Sequence, residues 1–177
     1  LKVVTFNVHG LYVASRDRAE RMQAIADTLT SLDPDIVGLQ ETFVENDRMI
    51  LSEGLGNSRL KYQKYYPSAT VGSGLLVLSA FPIVEGYFHR YVQNGKWYKL
   101  YHGDWWAGKG VALARLALPN KAGYVDFYNT HAHAGYGGTE YDEDRKAQML
   151  DLSRFVDASG LKVAPAIVVG DMNCRPG

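Results

Sequence analysis

Short apolar runs, each closed by Gly, Pro or Asn, recur along most of this 177-residue chain, and helical periodicity interrupts them at three places. That order restricts the fold more than any other feature. Lys2 to Val8 is β-branched and bounded by His9-Gly10, so it reads as a buried strand that delivers Asn7 to a strand end. From Arg18 onward Met22, Ile25, Ala26, Leu29 and Leu32 fall at helical spacing before Pro34, and Asp17 followed by Glu20 suits a capped start. Ile36-Val37-Gly38-Leu39-Gln40 is a second buried strand, whose end presents Glu41. A moderately helical stretch covers Asn46 to Leu55. Apolar runs then follow at Tyr62–Tyr66, Gly74–Leu78, Ile83–Val92, Val111–Leu118 and Tyr124–Asn129, a succession that suggests antiparallel sheet. Glu143 to Ala158 carries Met149, Leu152, Phe155 and Val156 on one helical face, and Ala166–Val169 is a last buried strand before Gly170-Asp171. These elements fit an α/β (α+β) sandwich of two packed sheets flanked by helices.

With 46% hydrophobic residues the chain can bury one substantial core, and its length argues for a single domain over residues 1–177. Nineteen basic and nineteen acidic residues cancel, so no net positive field collects nucleic acid, and none is expected as a partner. The single Cys174 cannot form an intramolecular disulfide and leaves the compartment open. The longest apolar stretch, Leu75 to Pro82, is cut by Ser79 and Pro82 and falls far short of the ~20 residues that span a bilayer. The chain opens at Leu1 without methionine and stops at Arg175-Pro176-Gly177 directly after a motif, so both ends read as cut. Nothing in the sequence fixes an oligomeric state.

Five segments adjoin these strands: Thr5-Phe6-Asn7-Val8, Leu39-Gln40-Glu41, Gly72-Ser73-Gly74, Thr130-His131 and Gly170-Asp171-Met172-Asn173. Together they resemble the endonuclease/exonuclease/phosphatase (DNase I-like) superfamily. Within it, His102-Gly103-Asp104-Trp105-Trp106-Ala107-Gly108-Lys109-Gly110 is similar to the neutral sphingomyelinases. The resemblance implies a four-layer αββα sandwich and a metal-dependent phosphodiesterase. Such chemistry needs a hard cation, a base that orients water, and donors for the phosphoryl oxygens. Glu41 is an acid emerging from an otherwise neutral strand and suits Mg²⁺, with Mn²⁺ as the substitute; on its own it reads first as an ordinary solvated loop glutamate. The resemblance makes it a metal ligand, with Asn7 as its amide neighbour, although Asn7 alone reads as a turn cap. Asp171 and Asn173 lie two apart, which on extended backbone puts both on one face. By resemblance Asp171 orients or deprotonates the water and Asn173 donates to the transition-state oxygen; the bland alternative is an Asx turn. Alternation likewise pairs His131 with His133, and no His-Glu-x-x-His or Cys pair supports zinc there. The family pattern has His131 donate to a phosphate oxygen, while His133 reads as a supporting residue or a satisfied structural partner.

Gly103 to Lys109 nearly spells a nucleotide-binding loop, but Gly110 stands where Ser or Thr is needed and a strand follows in place of a helix. Nucleotide binding is rejected. Asp104, Trp105, Trp106 and Lys109 are instead expected to contact a lipid headgroup or to stabilise the loop. Asn94-Gly95 between aromatic flanks signals a hairpin suited to a membrane interface, to packing on its own sheet, or to base stacking. Arg145 and Gln148 at the start of the last helix could brace the Asp171 loop, but Arg and Gln on such a face read first as solvated residues without a catalytic role. Superfamily enzymes carry a further C-terminal Asp-His motif that has no match here, so a longer chain is expected, with a sheet edge left uncovered in this part. The reading is thus an Mg²⁺-dependent, phospholipase C-type enzyme that cleaves a phosphosphingolipid at a membrane surface, itself membrane-associated or secreted. Its rivals are a nuclease or inositol-polyphosphate phosphatase on the same fold, and a catalytically incomplete lipid- or protein-binding module.

Overall fold

A computed structural model of the chain describes residues 1–11, 15–68, 72–92, 108–134 and 142–174. The Asn94-Gly95 hairpin and Asp104, Trp105 and Trp106 lie outside the described residues. The apolar runs become strands β1 (Val3–Asn7), β2 (Ile36–Gln40), β3 (Tyr62–Tyr66), β4 (Leu75–Ser79), β5 (Ile83–Arg90), β6 (Gly110–Ala117), β7 (Tyr124–His131) and β8 (Ala166–Asp171). The periodic stretches become helices α1 (Arg18–Leu32), α2 (Glu45–Gly54) and α3 (Asp142–Ser159).

Two four-stranded sheets result, ordered β1-β2-β4-β3 and β5-β6-β7-β8. The serial strands pair antiparallel, as their short connections allow, whereas β1/β2 and β7/β8 pair parallel. Each parallel pair is joined through a helix, because a parallel crossover needs a dozen or more residues. Alternation then sorts the side chains. Val37 and Leu39 face outward onto Met22, Ala26 and Leu29 of α1 and Leu51 of α2. Ile36, Leu75 and Val77 face inward onto Ala112, Ala114, Leu116 and Phe127 of the other sheet. Val111, Leu113 and Tyr128 meet Leu152, Met149, Phe155 and Val156 of α3. The layers run helix, sheet, sheet, helix: a four-layer αββα sandwich.

Local differences from expectation have physical causes. Asp17 does not cap α1: it adopts a left-handed conformation and its side chain makes no capping bond. Tertiary contacts hold that end instead, Arg18 lying 3.1 Å from Asp47 and Arg21 donating to the carbonyls of Val8 and His9. Strand β5 ends at Arg90, short of the expected Val92, although the Tyr91 amide still bonds the Lys109 carbonyl in the same antiparallel register. Strands β1 and β8 end their sheets on the same side, where Phe6 and Val168 remain 50% and 41% exposed.

Candidate active site

Inward-facing positions at one end of the sandwich build the site. Strand β1 ends at Asn7, which is in register with Gln40 at the end of β2; β7 ends at His131, in register with Asp171 at the end of β8. Parallel pairing aligns these carboxyl ends, so residues far apart in sequence converge at the seam between the sheets. Asn7 bridges the two acids, its Nδ2 donating to Glu41 Oε1 at 2.9 Å and to Asp171 Oδ2 at 3.0 Å. His131 Nε2 lies 3.9 Å from Glu41 Oε1 and 3.8 Å from Asp171 Oδ2. Asn7, Glu41, His131 and Asp171 are therefore brought together.

Glu41 reaches inward because its backbone is left-handed, with φ 63°, and the Thr42 amide and hydroxyl both bond the Gly74 carbonyl just beyond it. Those bonds give the Gly72-Ser73-Gly74 segment a positional role. Asp171 is set by Gly170, whose φ is 145° and where a Cβ would lie 2.0 Å from the Thr130 carbonyl oxygen. Only glycine lets β8 approach β7 there.

Asn173 departs from the extended geometry expected of it. Its φ is 50°, its amide donates to Asp171 Oδ1 at 3.0 Å, and its Nδ2 donates to the Ala132 carbonyl. The Asx turn and the site geometry thus coexist, the turn holding one Asp171 oxygen and leaving the other on Asn7. Asn7 also differs in detail, since its amide oxygen accepts from the His9 N–H and its nitrogen faces Glu41.

Lys109, expected in a substrate loop, is buried in the site with Nζ 3.1 Å from His131 Nδ1 and 2.9 Å from Nε2. Burial pushes the His131 pKa well below 6.5, aided by the Lys109 ammonium and then by His133. The ring is neutral near pH 7. His133 is buried, and its amide donates to Gln148 Oε1 at 2.8 Å. Gln148 is not solvated but 1% exposed, bracing β7 from α3, while Arg145 pairs with Asp142 on its own helix. Sequence reasoning offered Gln148 as a brace of the Asp171 loop but preferred solvation, whereas it braces the chain at His133, and it missed Gln40 and Asn129 as supports. The one signal was a polar side chain inside or beside an apolar run, which strand ends show for many reasons.

Glu41 Oε2 is buried with no hydrogen-bond partner among the described residues, and His9 Nδ1 stands 3.7 Å away. A buried carboxylate oxygen without a donor is unfavourable. A small oxygen-seeking dication satisfies it, and Mg²⁺ is commonly held by one or two carboxylates plus water. Glu41 fits that pattern, and Asn7 joins it only with its amide turned over, because its nitrogen now faces Glu41 and Asp171.

Residues 4–177 match the sequence profile of the Endonuclease/Exonuclease/phosphatase family. The chain belongs to that family. A putative neutral sphingomyelinase of Drosophila melanogaster is 37% identical over 178 residues, covering 99% of this chain and 40% of that protein. An inositol phosphosphingolipids phospholipase C of Schizosaccharomyces pombe is 36% identical over 178 residues, covering 99% of this chain and 42% of that protein. This family member thus spans about two-fifths of the length of these curated relatives. Its fold superposes on a mutant beta toxin of Staphylococcus aureus, crystallised with bound magnesium ions, at TM-score 0.84 and 20% identity, over 100% of this chain and 66% of that one. No helix among the described residues is long and apolar enough to cross a membrane.

Proposed function

We propose that residues 1–177 form a catalytic domain of an Mg²⁺-dependent phosphodiesterase that hydrolyses sphingomyelin or a related phosphosphingolipid to ceramide and a phosphorylated headgroup. The observation that carries this reading is the convergence of Asn7, Glu41, His131 and Asp171, with one Glu41 oxygen buried and unpartnered. The relatives' names support the phosphosphingolipid class, including more than one headgroup.

Glu41, with Asn7 beside it, holds the metal, which supplies charge neutralisation at the phosphoryl oxygens. Presenting an amide oxygen there requires Asn7 to turn over its amide, exchanging its bond with His9. Asp171 orients the attacking water and accepts its proton, its carboxylate held by the Asn173 amide and by Asn7. Lys109 Nζ reaches both ring nitrogens of His131, 3.1 Å from Nδ1 and 2.9 Å from Nε2; a phosphate beside Nε2, the nitrogen that faces the two carboxylates, would draw the ring proton there and leave Nδ1 to accept from Lys109. His131 donates there as a neutral hydrogen-bond donor, and the Lys109 ammonium adds positive charge to the same pocket. Asn173 keeps its Nδ2 on Ala132 until substrate arrives, then donates to the transition-state oxygen. His133 supports His131 by anchoring the chain just beyond it to Gln148 of α3. Asp104, Trp105 and Trp106 contact the headgroup region, which brings the protein, membrane-associated or secreted, onto a lipid surface.

Release of phosphocholine from sphingomyelin liposomes by the full-length protein, with Mg²⁺ and with chelator, tests the reading. Chelator-sensitive release is expected. Cleavage of DNA or an inositol phosphate in its place moves the substrate to another branch of the family, and liposome binding without turnover of any phosphodiester overturns the enzymatic reading.

A further inference from the structure

The site straddles two sheets. Asn7 and Glu41 hang from one sheet, His131 and Asp171 from the other, so their separation is only as well fixed as the relation between the sheets. The layer between them is otherwise largely aliphatic and aromatic, and burial of apolar surface is non-directional. Such a layer resists separation far better than it resists sliding.

Among the described residues, buried polar bonds cross it in two places: the Tyr66 hydroxyl on β3 donates to the Leu113 carbonyl on β6 at 2.8 Å, and a second connection lies next to the site residues themselves. Gln40, immediately before Glu41, and Asn129, two residues before His131, are both buried and meet across the seam, Gln40 Nε2 donating to Asn129 Oδ1 at 2.7 Å. Asn129 Nδ2 donates to the Leu39 carbonyl at 2.9 Å and the Leu76 carbonyl at 3.3 Å, tying β7 to two strands of the opposite sheet. Gln40 also donates to Thr5 Oγ1 on β1 and to the Gly38 carbonyl. Room for the amide is made by Gly38, where a Cβ would lie 2.8 Å from Val169 Cγ2 and 3.1 Å from Asn129 Cγ. A buried polar pair of this kind rarely adds stability over apolar residues of similar volume. What it adds is direction.

We infer that Gln40 and Asn129 are positioning residues: their amide bridge locks the two sheets in the register that sets Glu41 and Asn7 against His131 and Asp171. The inference rests on the phosphodiesterase reading above. Neither side chain touches the reacting atoms. A displacement near 1 Å between the halves of such a site costs about a hundredfold in rate.

The test uses the full-length protein with Gln40→Met, Asn129→Leu and the double variant, which replaces the bridge by apolar contacts. Turnover of sphingomyelin liposomes is measured beside the rise in Tm produced by Mg²⁺ alone. The double variant is expected to unfold within a few degrees of wild type, to lose about ten- to a hundredfold in kcat with KM little changed, and to show a smaller Mg²⁺-induced rise. A double variant that keeps wild-type kcat and Mg²⁺ response overturns the inference, as does activity lost only in proportion to the unfolded fraction. Should the double variant fail to fold, Gln40→Met decides, because Asn129 keeps its bonds to Leu39 and Leu76; wild-type activity there overturns it. A wild-type protein that cleaves a different phosphodiester moves the same comparison to that substrate. One with neither turnover nor Mg²⁺ response overturns the parent reading and this inference together.

Discussion

Glu41 adopts φ 63°, a left-handed conformation that a glutamate reaches at a cost of about 1–3 kcal/mol. Such strain persists where the surroundings overdetermine it, and here the Thr42 bonds to Gly74 do so while the carboxylate is turned inward with one oxygen unpartnered. Glu41→Gln keeps the shape and removes the charge. In the full-length protein it is expected to lose about a hundredfold or more in Mg²⁺-dependent turnover while its circular dichroism is unchanged; near-full activity would remove Glu41 from the metal site. Lys109 acts at the same scale. Its ammonium is buried against His131, and Lys109→Met retains the buried stem without the charge. A fall of about tenfold or more in kcat is expected, read by steady-state kinetics on liposomes. The near nucleotide-binding spelling around Lys109 drew attention to the lysine, but its burial against a histidine 22 residues away was not legible, because nothing local encodes that contact.

At the scale of elements, β7 is the strand on which the site depends. Its inward side carries Phe127, Asn129 and His131, and its outward side meets α3 through Tyr128 and bonds Arg115 through Asp126. Asp126 is fully buried and accepts from Arg115 Nε at 2.7 Å and from the Leu161 amide at 2.7 Å; Arg115 also donates to the Ser159 carbonyl. Asp126→Ala leaves the Arg115 guanidinium with only the half-exposed Glu85 as counter-charge and the Leu161 amide without its acceptor, so it is expected to destabilise by about 3 kcal/mol in denaturant unfolding. Gly170→Ala sets a methyl 2.0 Å from the Thr130 carbonyl oxygen at a φ of 145°. A loss of at least ~2 kcal/mol is expected by the same measurement, with Asp171 displaced. Element positions were readable in advance to within a residue or two, because strand and helix periods are properties of contiguous residues. The Asp17 cap was not, since a local hydrogen bond lost to the tertiary pull of Asp47 and of the Val8 and His9 carbonyls on the first turn.

For the whole molecule, the proposed metal ligands Asn7 and Glu41 sit at the ends of two strands, β1 and β2, that are separated by a helix in sequence and meet only in the folded state, so metal binding would be linked to folding. Mg²⁺ is therefore expected to raise Tm of the full-length protein, with about 2.7 kcal/mol of stabilisation at a hundredfold excess over Kd. Glu41→Gln is expected to abolish the rise in differential scanning calorimetry. The sequence by itself determined the strand and helix order, the four-layer architecture implied by that order and by the family motifs, and the strand-end placement of Asn7, Glu41, His131 and Asp171. Only the tertiary structure decided that these side chains meet within 4 Å of one another, that Asn173 bonds the Ala132 carbonyl, that Lys109 is buried beside His131, and that Gln40 meets Asn129 across 89 residues of chain. Periodicity and turn chemistry are written in neighbouring residues, whereas register between two sheets depends on packing that no single segment contains.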